Sequence, residues 1–341
     1  MNSGPVNLVA IGGGTGLATL LRGVKQYVTP GRSWQIDHLS AIVTVTDEGG
    51  SSGVLRKELS MLPPGDVRNC IVALAEEEQL LSRLFNYRFE EDSALKGHSL
   101  GNLLIAALTD IMGGFDQAIL AASEVLAIRG SIYPSTLSLV TLRAICEDGS
   151  IVLGETAISG EGASRSDRIG HSRIRRLELD PGDAEPVAEA IDAIENAGMI
   201  VIGPGSLYTS VLPNLLIRRI ADALRSTSAV RVYVCNVMTQ PGETDGYAAE
   251  DHLEAILDHA GPVVDWIVVN DCTPSRSTLD AYADQQQFPV AFDLDKIRRM
   301  GVAAFPGRII SEGNYLRHDA NALAETLARL WAHKRALRQS D

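Results

Sequence analysis

Cysteine is scarce in this 341-residue chain, which contains four, and none of them forms a CxxC pair. The spacing excludes the thiolate cage of a structural zinc site and the disulfide framework of a small secreted domain. Three of the four lie in or beside apolar runs, so we expect reduced thiols in a protein core. The cysteines are Cys70, Cys146, Cys235 and Cys272.

Long hydrophobic runs and an excess of positive charge are also missing. No apolar run approaches the roughly 20 residues of a membrane-spanning helix. The opening MNSGPVNLVAI lacks the charged and hydrophobic regions of a signal peptide. The formal net charge is −13, whereas nucleic-acid binding needs clustered lysine and arginine. We therefore expect a cytoplasmic protein with no membrane span and no nucleic-acid partner, although backbone N–H groups still permit a phosphorylated ligand.

Familiar catalytic motifs are missing as well. The sequence has no HExxH, no paired cysteine and histidine spacing, and no Ser-His-Asp order. Leu17 replaces the third glycine of GxGxxG, and the same run lacks the lysine of a Walker A loop, which weakens a dehydrogenase or P-loop NTPase interpretation. GHSLGN fits GxSxG, but charged residues rather than a strand precede it. We therefore expect Ser99 or Asn102 to begin a helix, with His98 near a ligand crevice, rather than a serine nucleophile.

Short β-rich apolar runs alternate along the chain with helical patterns, and 45% of the residues are hydrophobic. This predicts an α/β fold whose mostly parallel sheet is covered on both faces, in one domain over residues 1–341. The segment at about 137–180 differs: TLSLVTLRAICEDGSIVLGETAI predicts a short antiparallel β-hairpin around Asp148-Gly149, followed by a basic arm. The arm is interpreted as a solvated loop or as a contact to an anionic ligand or partner chain. Its arginines are Arg165, Arg168, Arg173, Arg175 and Arg176.

Glycine-rich or polar loops follow the predicted strands. Because the carboxyl ends of parallel strands meet at one crevice, we expect these loops to form a single site for a large, phosphate-bearing ligand. Glycine permits close approach of the backbone, and helix N-termini offer N–H donors. Each loop taken alone also fits an ordinary turn. The candidate ligand-binding residues are Gly12, Gly13, Gly14, Thr15, Gly16, Asp47, Gly49, Gly50, Ser51, Ser52, Asp66, Arg68, Asn69, His98, Ser99, Asn102, Gly203, Gly205, Ser206, Asn236, Thr239, Gln240 and Thr244.

Three of these residues carry a more specific expectation. Asp47 follows the apolar strand AIVTV, where a carboxylate suits a ribose hydroxyl or a hydrated Mg²⁺ ion. Asp66 is expected to cap a helix that starts near Val67. Ser206 is expected to cap the helix that follows Gly203-Pro204-Gly205.

Six motifs occur in order between about Val6 and Asp319: GGGTGL, TVTDEGGSSG, LPPGDVRN, GHSLGN, IGPGSLYTSVLPNLL and VCNVMTQPGET. They resemble the gluconeogenesis-factor (YvcK-like) family, whose members are needed for cell shape and for growth on gluconeogenic carbon sources. That family is similar in fold to the 2-phospho-lactate transferases (CofD-like), which bind a guanosine diphosphate compound. The resemblance implies a Rossmann-like three-layer α/β/α fold and binding of UDP-sugars, notably UDP-N-acetylglucosamine, with no established reaction.

The resemblance also adds two residues, Tyr282 and Arg317. A tyrosine stacks well on uracil, and an arginine forks onto a diphosphate, although both residues also fit an ordinary surface. The chain departs from the family pattern at Glu48, where a second aspartate is usual, and at Val54, where a basic residue is common. A longer carboxylate still suits a metal or hydroxyl, but the departure weakens a metal site at Asp47.

Two hypotheses follow from these observations. The first is a regulatory nucleotide-sugar-binding protein with no catalytic residue and no established cofactor. We expect this protein to form a homo-oligomer, most simply a dimer. The alternative is a Mg²⁺-dependent transferase of a 2-phospho-lactate-type group that uses a guanosine diphosphate donor.

Overall fold

The computed structural model alternates strands and helices over the residues it describes, which are 5–29, 31, 34–76, 78–90, 95–160, 172–312 and 316–338. The strands are β1 Val6–Gly12, β2 Ile36–Val43, β3 Ser131–Pro134, β4 Thr141–Cys146, β5 Ile151–Leu153, β6 Ile174–Asp180, β7 Met199–Ile202, β8 Val230–Val234, β9 Trp266–Asn270, β10 Ala303–Gly307, β11 Ile310–Glu312 and β12 Leu316–His318. The α-helices are α1 Gly14–Val24, α2 Gly50–Leu59, α3 Gly65–Leu74, α4 Glu78–Phe85, α5 Leu100–Met112, α6 Phe115–Val125, α7 Glu155–Ser159, α8 Ala188–Glu195, α9 Leu212–Leu215, α10 Arg218–Ser226, α11 Ala249–Ala260, α12 Arg276–Ala283, α13 Leu294–Arg299 and α14 Ala320–Arg338. A 3-10 helix covers Lys25–Tyr27, and a π-helix covers Leu207–Val211.

Seven strands form a central sheet in the order β10-β9-β8-β7-β1-β2-β3, and every neighbouring pair is parallel. Side chains alternate between its faces. Along β1, Leu8 and Ala10 enter the core beneath α1, α3 and α14, while Val9 and Ile11 enter the core beneath α8 to α11. The Rossmann-like three-layer α/β/α prediction is therefore confirmed.

The chain reverses its direction across the sheet at β1. From β1 it runs outward through β2 to the edge strand β3, and it then returns to the opposite side of β1 as β7. The carboxyl ends of β1 and β7 therefore flank the topological switch point, where open α/β sheets bind their ligands. At this end Gly203 donates its N–H to Ile11 O over 2.8 Å, which keeps the two strand exits together.

A small antiparallel sheet, with the order β5-β4-β6, confirms the predicted hairpin around Asp148-Gly149. The prediction of a basic arm is partly wrong, because Arg175 and Arg176 lie on strand β6, which pairs with β4. The strand forms here because Ile174, Leu177 and Leu179 are buried at strand spacing. Arg165 and Arg168 lie outside the described residues.

Arg173, just before β6, is exposed but makes contacts with two side chains, one of the main core and one of α11. Arg173 stacks its guanidinium 4.4 Å from the centre of the Tyr247 ring and lies 3.8 Å from the Asp251 carboxylate. Tyr247 Oη in turn lies 2.8 Å from Tyr208 Oη, and Tyr208 donates to Ile174 O over 3.2 Å. The small sheet is thus connected by hydrogen bonds to the π-helix that follows β7.

Within the described part of the chain, no single helix is long and apolar enough to cross a membrane. The consecutive helices α5 and α6 pass this test only when taken together, by length and composition, and they are bent by 117° at the break between them.

Candidate functional site

The loops that follow β1 and β7 are in contact at the switch point. A Cβ at Gly16 would lie 2.8 Å from the carbonyl carbon of Pro204 and 3.1 Å from the Cα of Gly205. Gly14 and Gly203 have φ values of +63° and +77°, which glycine adopts without strain. Glycine is therefore required at these positions, since side chains would separate the two loops.

A cavity of about 670 Å³ opens at this contact, within the range of about 300–1,000 Å³ typical of small-molecule sites. The predicted residues that line it are Gly13, Gly14, Thr15, Gly16, Asp47, Asp66, Asn69, Gly205, Ser206, Asn236, Thr239, Gln240, Tyr282 and Arg317. Further lining residues, not foreseen from the sequence, are Thr19, Glu155, Ser159, Pro204, Thr209, Ser210, Val237, Met238, Pro241, Glu243, Gln287, Leu316 and His318. Loops after β1, β2, β7 and β8 thus contribute to one site.

Two aspartates, Asp47 and Asp66, line the cavity and interact electrostatically. Asp47, after β2, accepts the Gly49 N–H over 2.9 Å. Helix α3 begins at Gly65, two residues before the predicted start, so Asp66 lies within its first turn and does not cap it. Burial and the neighbouring Asp47 charge raise the pKa of Asp66 to about 7, against the opposing effects of a Gly14 N–H and of Arg68.

This carboxylate pair has a defined chemical capacity. Two carboxylates together with water and ligand phosphates form a normal coordination set for Mg²⁺. Without a cation, protonation of Asp66 removes its repulsion with Asp47. Among the described residues no group of three histidine, cysteine, aspartate or glutamate side chains is placed to hold a metal by itself.

Glu48, which follows Asp47 directly, is turned away from the cavity. Its carboxylate lies 3.4 Å from the Arg56 guanidinium and accepts the Glu155 N–H over 3.2 Å. Arg56 also donates to Val140 O over 2.6 Å. The expectation that Glu48 shares a metal or hydroxyl with Asp47 is therefore wrong, because its side chain bridges Arg56 of α2 and the first residue of α7.

Polar side chains after β7 and β8 form a chain of hydrogen bonds along the cavity wall. Asn236 donates to Gln240 Oε1 over 3.0 Å, and Gln240 donates to Ser206 Oγ over 2.6 Å. Ser206 stands at the predicted N-cap position, but its side chain makes no capping bond. The Ser206 hydroxyl instead accepts from Gln240. Thr239 is pinned by its own backbone and side-chain bonds to Phe288.

Glu243 is a buried carboxylate of the cavity wall that the sequence analysis missed. It is 4% exposed, and it accepts the Tyr208 N–H and the Thr209 hydroxyl, each over 3.3 Å. Burial raises its pKa to about 7, although these hydrogen bonds oppose the shift. The only sequence signal is its place inside MTQPGET, where an acidic residue in a loop predicts exposure. Pairing with the π-helix reverses that expectation.

The far wall of the cavity comes from segments late in the chain. Tyr282 accepts the Leu316 N–H over 2.8 Å and donates to Leu316 O over 3.2 Å. Arg317, which follows directly, is exposed and lines the cavity. His318 donates from Nε2 to Cys235 O over 3.2 Å, and burial lowers its pKa to about 4. Tyr282 and Arg317 thus share one wall, with neutral His318 beside them.

Other predicted residues lie outside the cavity lining. Ser99 N-caps α5 as predicted, since its Oγ accepts the Asn102 N–H over 3.2 Å, but it is fully buried. Thr244 is also fully buried and accepts the Gln240 N–H over 2.9 Å. The complete set absent from the cavity lining is Gly12, Gly49, Gly50, Ser51, Ser52, Arg68, His98, Ser99, Asn102, Gly203 and Thr244.

The fold and site define a Rossmann-like α/β protein with a polar ligand crevice at its switch point. Residues 8–310 match the model of the family described as 2-phospho-L-lactate transferase CofD. The chain is 46% identical over 323 residues to a gluconeogenesis factor of Halalkalibacterium halodurans, which covers 94% of this chain and 95% of that protein. It is 43% identical over 325 residues to the gluconeogenesis factor of Bacillus subtilis, covering 95% and 97% of the two chains.

A solved structure agrees with these similarities. The crystal structure of a UPF0052 family member from Bacillus halodurans matches with a TM-score of 0.87 at 46% identity, over 95% of this chain and 99% of that one. The chain belongs to the CofD family, together with the proteins named gluconeogenesis factor.

Proposed function

We propose that this chain is a gluconeogenesis factor that binds a nucleoside diphosphate sugar, of the UDP-N-acetylglucosamine type, in the switch-point cavity. In this proposal it is a cytoplasmic regulator needed for cell shape and for growth on gluconeogenic carbon sources, and it acts by binding rather than by catalysis. The observation that carries the proposal is the contact of two glycine loops, those after β1 and β7, at one cavity beside the N-terminus of α1.

The ligand is assigned to the cavity by chemistry. The diphosphate belongs beside Thr15, Gly16 and Gly205, because backbone N–H groups at the start of α1 favour anions. The uracil ring belongs against Tyr282, where an aromatic face is available for stacking. Arg317 on the same wall would pair with a phosphate oxygen. Four acidic residues, Asp47, Asp66, Glu155 and Glu243, also line the cavity.

Because these carboxylates would repel a diphosphate unless a cation lies between them, the proposal is tested by measuring ligand binding with and without Mg²⁺. We would titrate the purified chain calorimetrically with UDP-N-acetylglucosamine and with GDP, each with and without Mg²⁺. The proposal expects saturable binding of the uridine ligand, weakened at least tenfold in Arg317→Gln and unchanged in Arg276→Gln, an exposed arginine of α12 outside the cavity. Absence of any binding of the uridine ligand would refute it.

A second candidate is the Mg²⁺-dependent transferase of a 2-phospho-lactate-type group. The Asp47 and Asp66 carboxylates favour it, because together they would hold Mg²⁺ against a guanosine diphosphate donor, where the ion would neutralise charge on the diphosphate as its P–O–P bond breaks and guanosine monophosphate leaves. Binding of GDP alone, dependent on Mg²⁺ and lost in Asp47→Asn, would support this candidate. Absence of turnover with a guanosine diphosphate-type donor and a deazaflavin acceptor would remove it.

The proposal includes a homodimer. Large apolar side chains are exposed on α5 and α6, including Ile111 at 73% and Val125 at 76% exposure. Clusters of exposed apolar residues mark interaction surfaces more often than free surface. Light scattering on the purified chain, compared with an Ile111→Asp variant, would measure the expected dimer and its loss.

A further inference from the structure

Two helix N-termini meet beside the cavity, those of α2 and α5. Ser51 Oγ lies 3.1 Å from His98 Nδ1, and Asn102 donates from Nδ2 to Ser52 Oγ over 3.4 Å. Neither helix has an acidic residue in its first turn. The N-cap position of α2, Gly49, offers no side chain to the first N–H groups. Asp47 accepts the Gly49 N–H and Ser99 accepts the Asn102 N–H, but neither first turn supplies a carboxylate to the remaining N–H groups, which carry partial positive charge.

The guanidinium of Arg68 adds a full positive charge at the same place. Arg68 is 8% exposed and donates to Ser99 Oγ, the N-cap of α5, and to Asn69 Oδ1, each over 2.8 Å. Its Nε is buried and has no hydrogen-bond partner in the described part of the chain. Burial and the nearby Arg88 lower the pKa of Arg68, while the two cavity aspartates oppose this shift.

This arrangement lacks the partner that a buried cation normally has. Across the described residues, no ion pair of Arg68 with a carboxylate occurs within 4.0 Å. A buried charge is retained in proteins when it is paired or fully hydrogen-bonded. The unpaired Nε and the two helix N-termini all favour negative charge, so their common requirement is an anion.

The start of α2 reaches the protein surface. Gly50 is exposed, and a Cβ built at Gly50 or at Gly97 would meet no atom within 4 Å. His98 is half-buried beside it. A group that approaches Gly50 reaches the first N–H groups of α2, while the next residue, Ser51, is 5% exposed and contacts His98.

We propose that Ser51, Ser52, Arg68, His98 and Ser99, hereafter the Arg68 cluster, form an oxyanion-binding site that is separate from the lining of the switch-point cavity. The site takes a phosphate or carboxylate group, since both present several oxygens to guanidinium, hydroxyl and N–H donors. The oxyanion is either free inorganic phosphate or an anionic group on the far end of a molecule bound in the cavity. Asn69 connects the Arg68 cluster to the cavity, because it lines the cavity and accepts a hydrogen bond from Arg68. A molecule bound in the cavity can therefore place its far end close to Arg68.

Thermal unfolding of the full chain in increasing inorganic phosphate, at constant ionic strength, tests the site without any nucleotide. We expect the wild-type Tm to rise saturably, because a ligand that binds only the folded state stabilises it. Ser51→Asp places a carboxylate in the first turn of α2, and we expect it to weaken the phosphate response at least tenfold. The same variant is expected to unfold no lower than wild type in phosphate-free buffer, since it supplies the missing charge.

Ser277→Asp is the control for a carboxylate at the second position of a helix, because Ser277 holds that position in α12, where no acidic residue occupies the first turn; its N-cap is Ser275 rather than glycine, and Ser277 is exposed whereas Ser51 is buried. It should keep the full phosphate response. Arg68→Gln, checked for folding by circular dichroism, should lose the response. A flat wild-type titration, or an unchanged response in Ser51→Asp, would overturn the assignment.

UDP-glucose and UDP-glucuronic acid then identify the source of the oxyanion. Tighter binding of the glucuronate, with the difference lost in Ser51→Asp, supports an oxyanion carried by the cavity ligand. Equal binding of both, with the phosphate response retained in their presence, supports a free anion. If neither nucleotide binds, the proposed function fails while the phosphate titration still decides the Arg68 cluster.

Discussion

Replacing Glu243 by glutamine tests whether a carboxyl group is buried between the loops that follow β7 and β8. Glutamine keeps one oxygen to accept the Tyr208 N–H, while its amide nitrogen replaces the oxygen that accepts the Thr209 hydroxyl and donates to that hydroxyl instead; it also removes the ionisable proton. In the folded protein the pKa of Glu243 is about 7, raised from 4.5. Between these two values the folded state holds a proton that the unfolded chain has released.

The sign of the pH dependence follows from this difference. The contribution of Glu243 to stability is fully present below pH 4.5 and is lost as the pH rises through about 7. Over the interval from about pH 5.5 to about pH 8.5, the loss comes to about 2 kcal/mol at 1.36 kcal/mol per pKa unit, an order-of-magnitude value. Glu243 is 4% exposed, so solvent screening reduces this value little.

Urea denaturation at the two pH values measures the effect as a double difference. Relative to wild type, Glu243→Gln should become more stable by about 2 kcal/mol on going from the lower to the higher pH. Other titrating groups cancel because they are common to both proteins. Glu195→Gln, at an exposed position that ends α8, is the control and should follow wild type. Parallel pH profiles for wild type and Glu243→Gln would show that the carboxyl is not buried as described.

Three further changes probe the cavity and the wall behind it. Gly16→Ala should weaken ligand binding at least tenfold because its Cβ would meet Pro204, whereas Gly12→Ala, whose Cβ has its nearest neighbours at 3.7 Å, should bind normally in the same calorimetric titration. Asp66→Asn should stabilise the ligand-free chain at about pH 8, because it removes a buried charge beside Asp47. It should also abolish any Mg²⁺ dependence of ligand binding. A less stable variant with intact Mg²⁺ dependence would contradict this. Ser99→Ala should cost about 1–2 kcal/mol in urea denaturation through the lost N-cap, and an unchanged midpoint would count against that bond.

The charge of the cavity explains why Mg²⁺ is central to these experiments. Four acidic residues line it, and Arg317 is the arginine among its lining residues. An anionic diphosphate entering this space meets carboxylates as well as backbone donors. Either a cation between Asp47 and Asp66 or protonation of the raised-pKa groups Asp66 and Glu243 would relieve the repulsion. Binding measured with and without Mg²⁺ at about pH 6 and about pH 8 separates these two effects.

The helical and strand periodicities were sufficient to predict the parallel sheet, because a strand buried on both faces has to be apolar along its whole length. They also predicted the hairpin at Asp148-Gly149 and the start of α5 at Ser99, since turn and cap residues act through their own neighbours in sequence. The glycine loops after β1 and β7 were also predictable from sequence, because the backbone conformations that require glycine are local. Their convergence followed from the general rule for the carboxyl ends of parallel strands.

Side-chain direction and long-range pairing were decided only by the tertiary structure. Adjacent residues Asp47 and Glu48 diverge: Asp47 lines the cavity, whereas Glu48 is held by Arg56 and by the N–H of Glu155, which is 107 positions away in the sequence. Glu243 is buried because the π-helix after β7 supplies its hydrogen-bond donors from 34 or 35 positions away in the sequence. Arg68 was a candidate by its motif, yet its place behind the cavity depends on where α5 docks. Local sequence determines which elements form and where they end, whereas contacts between distant elements determine which charges are buried and which face the ligand.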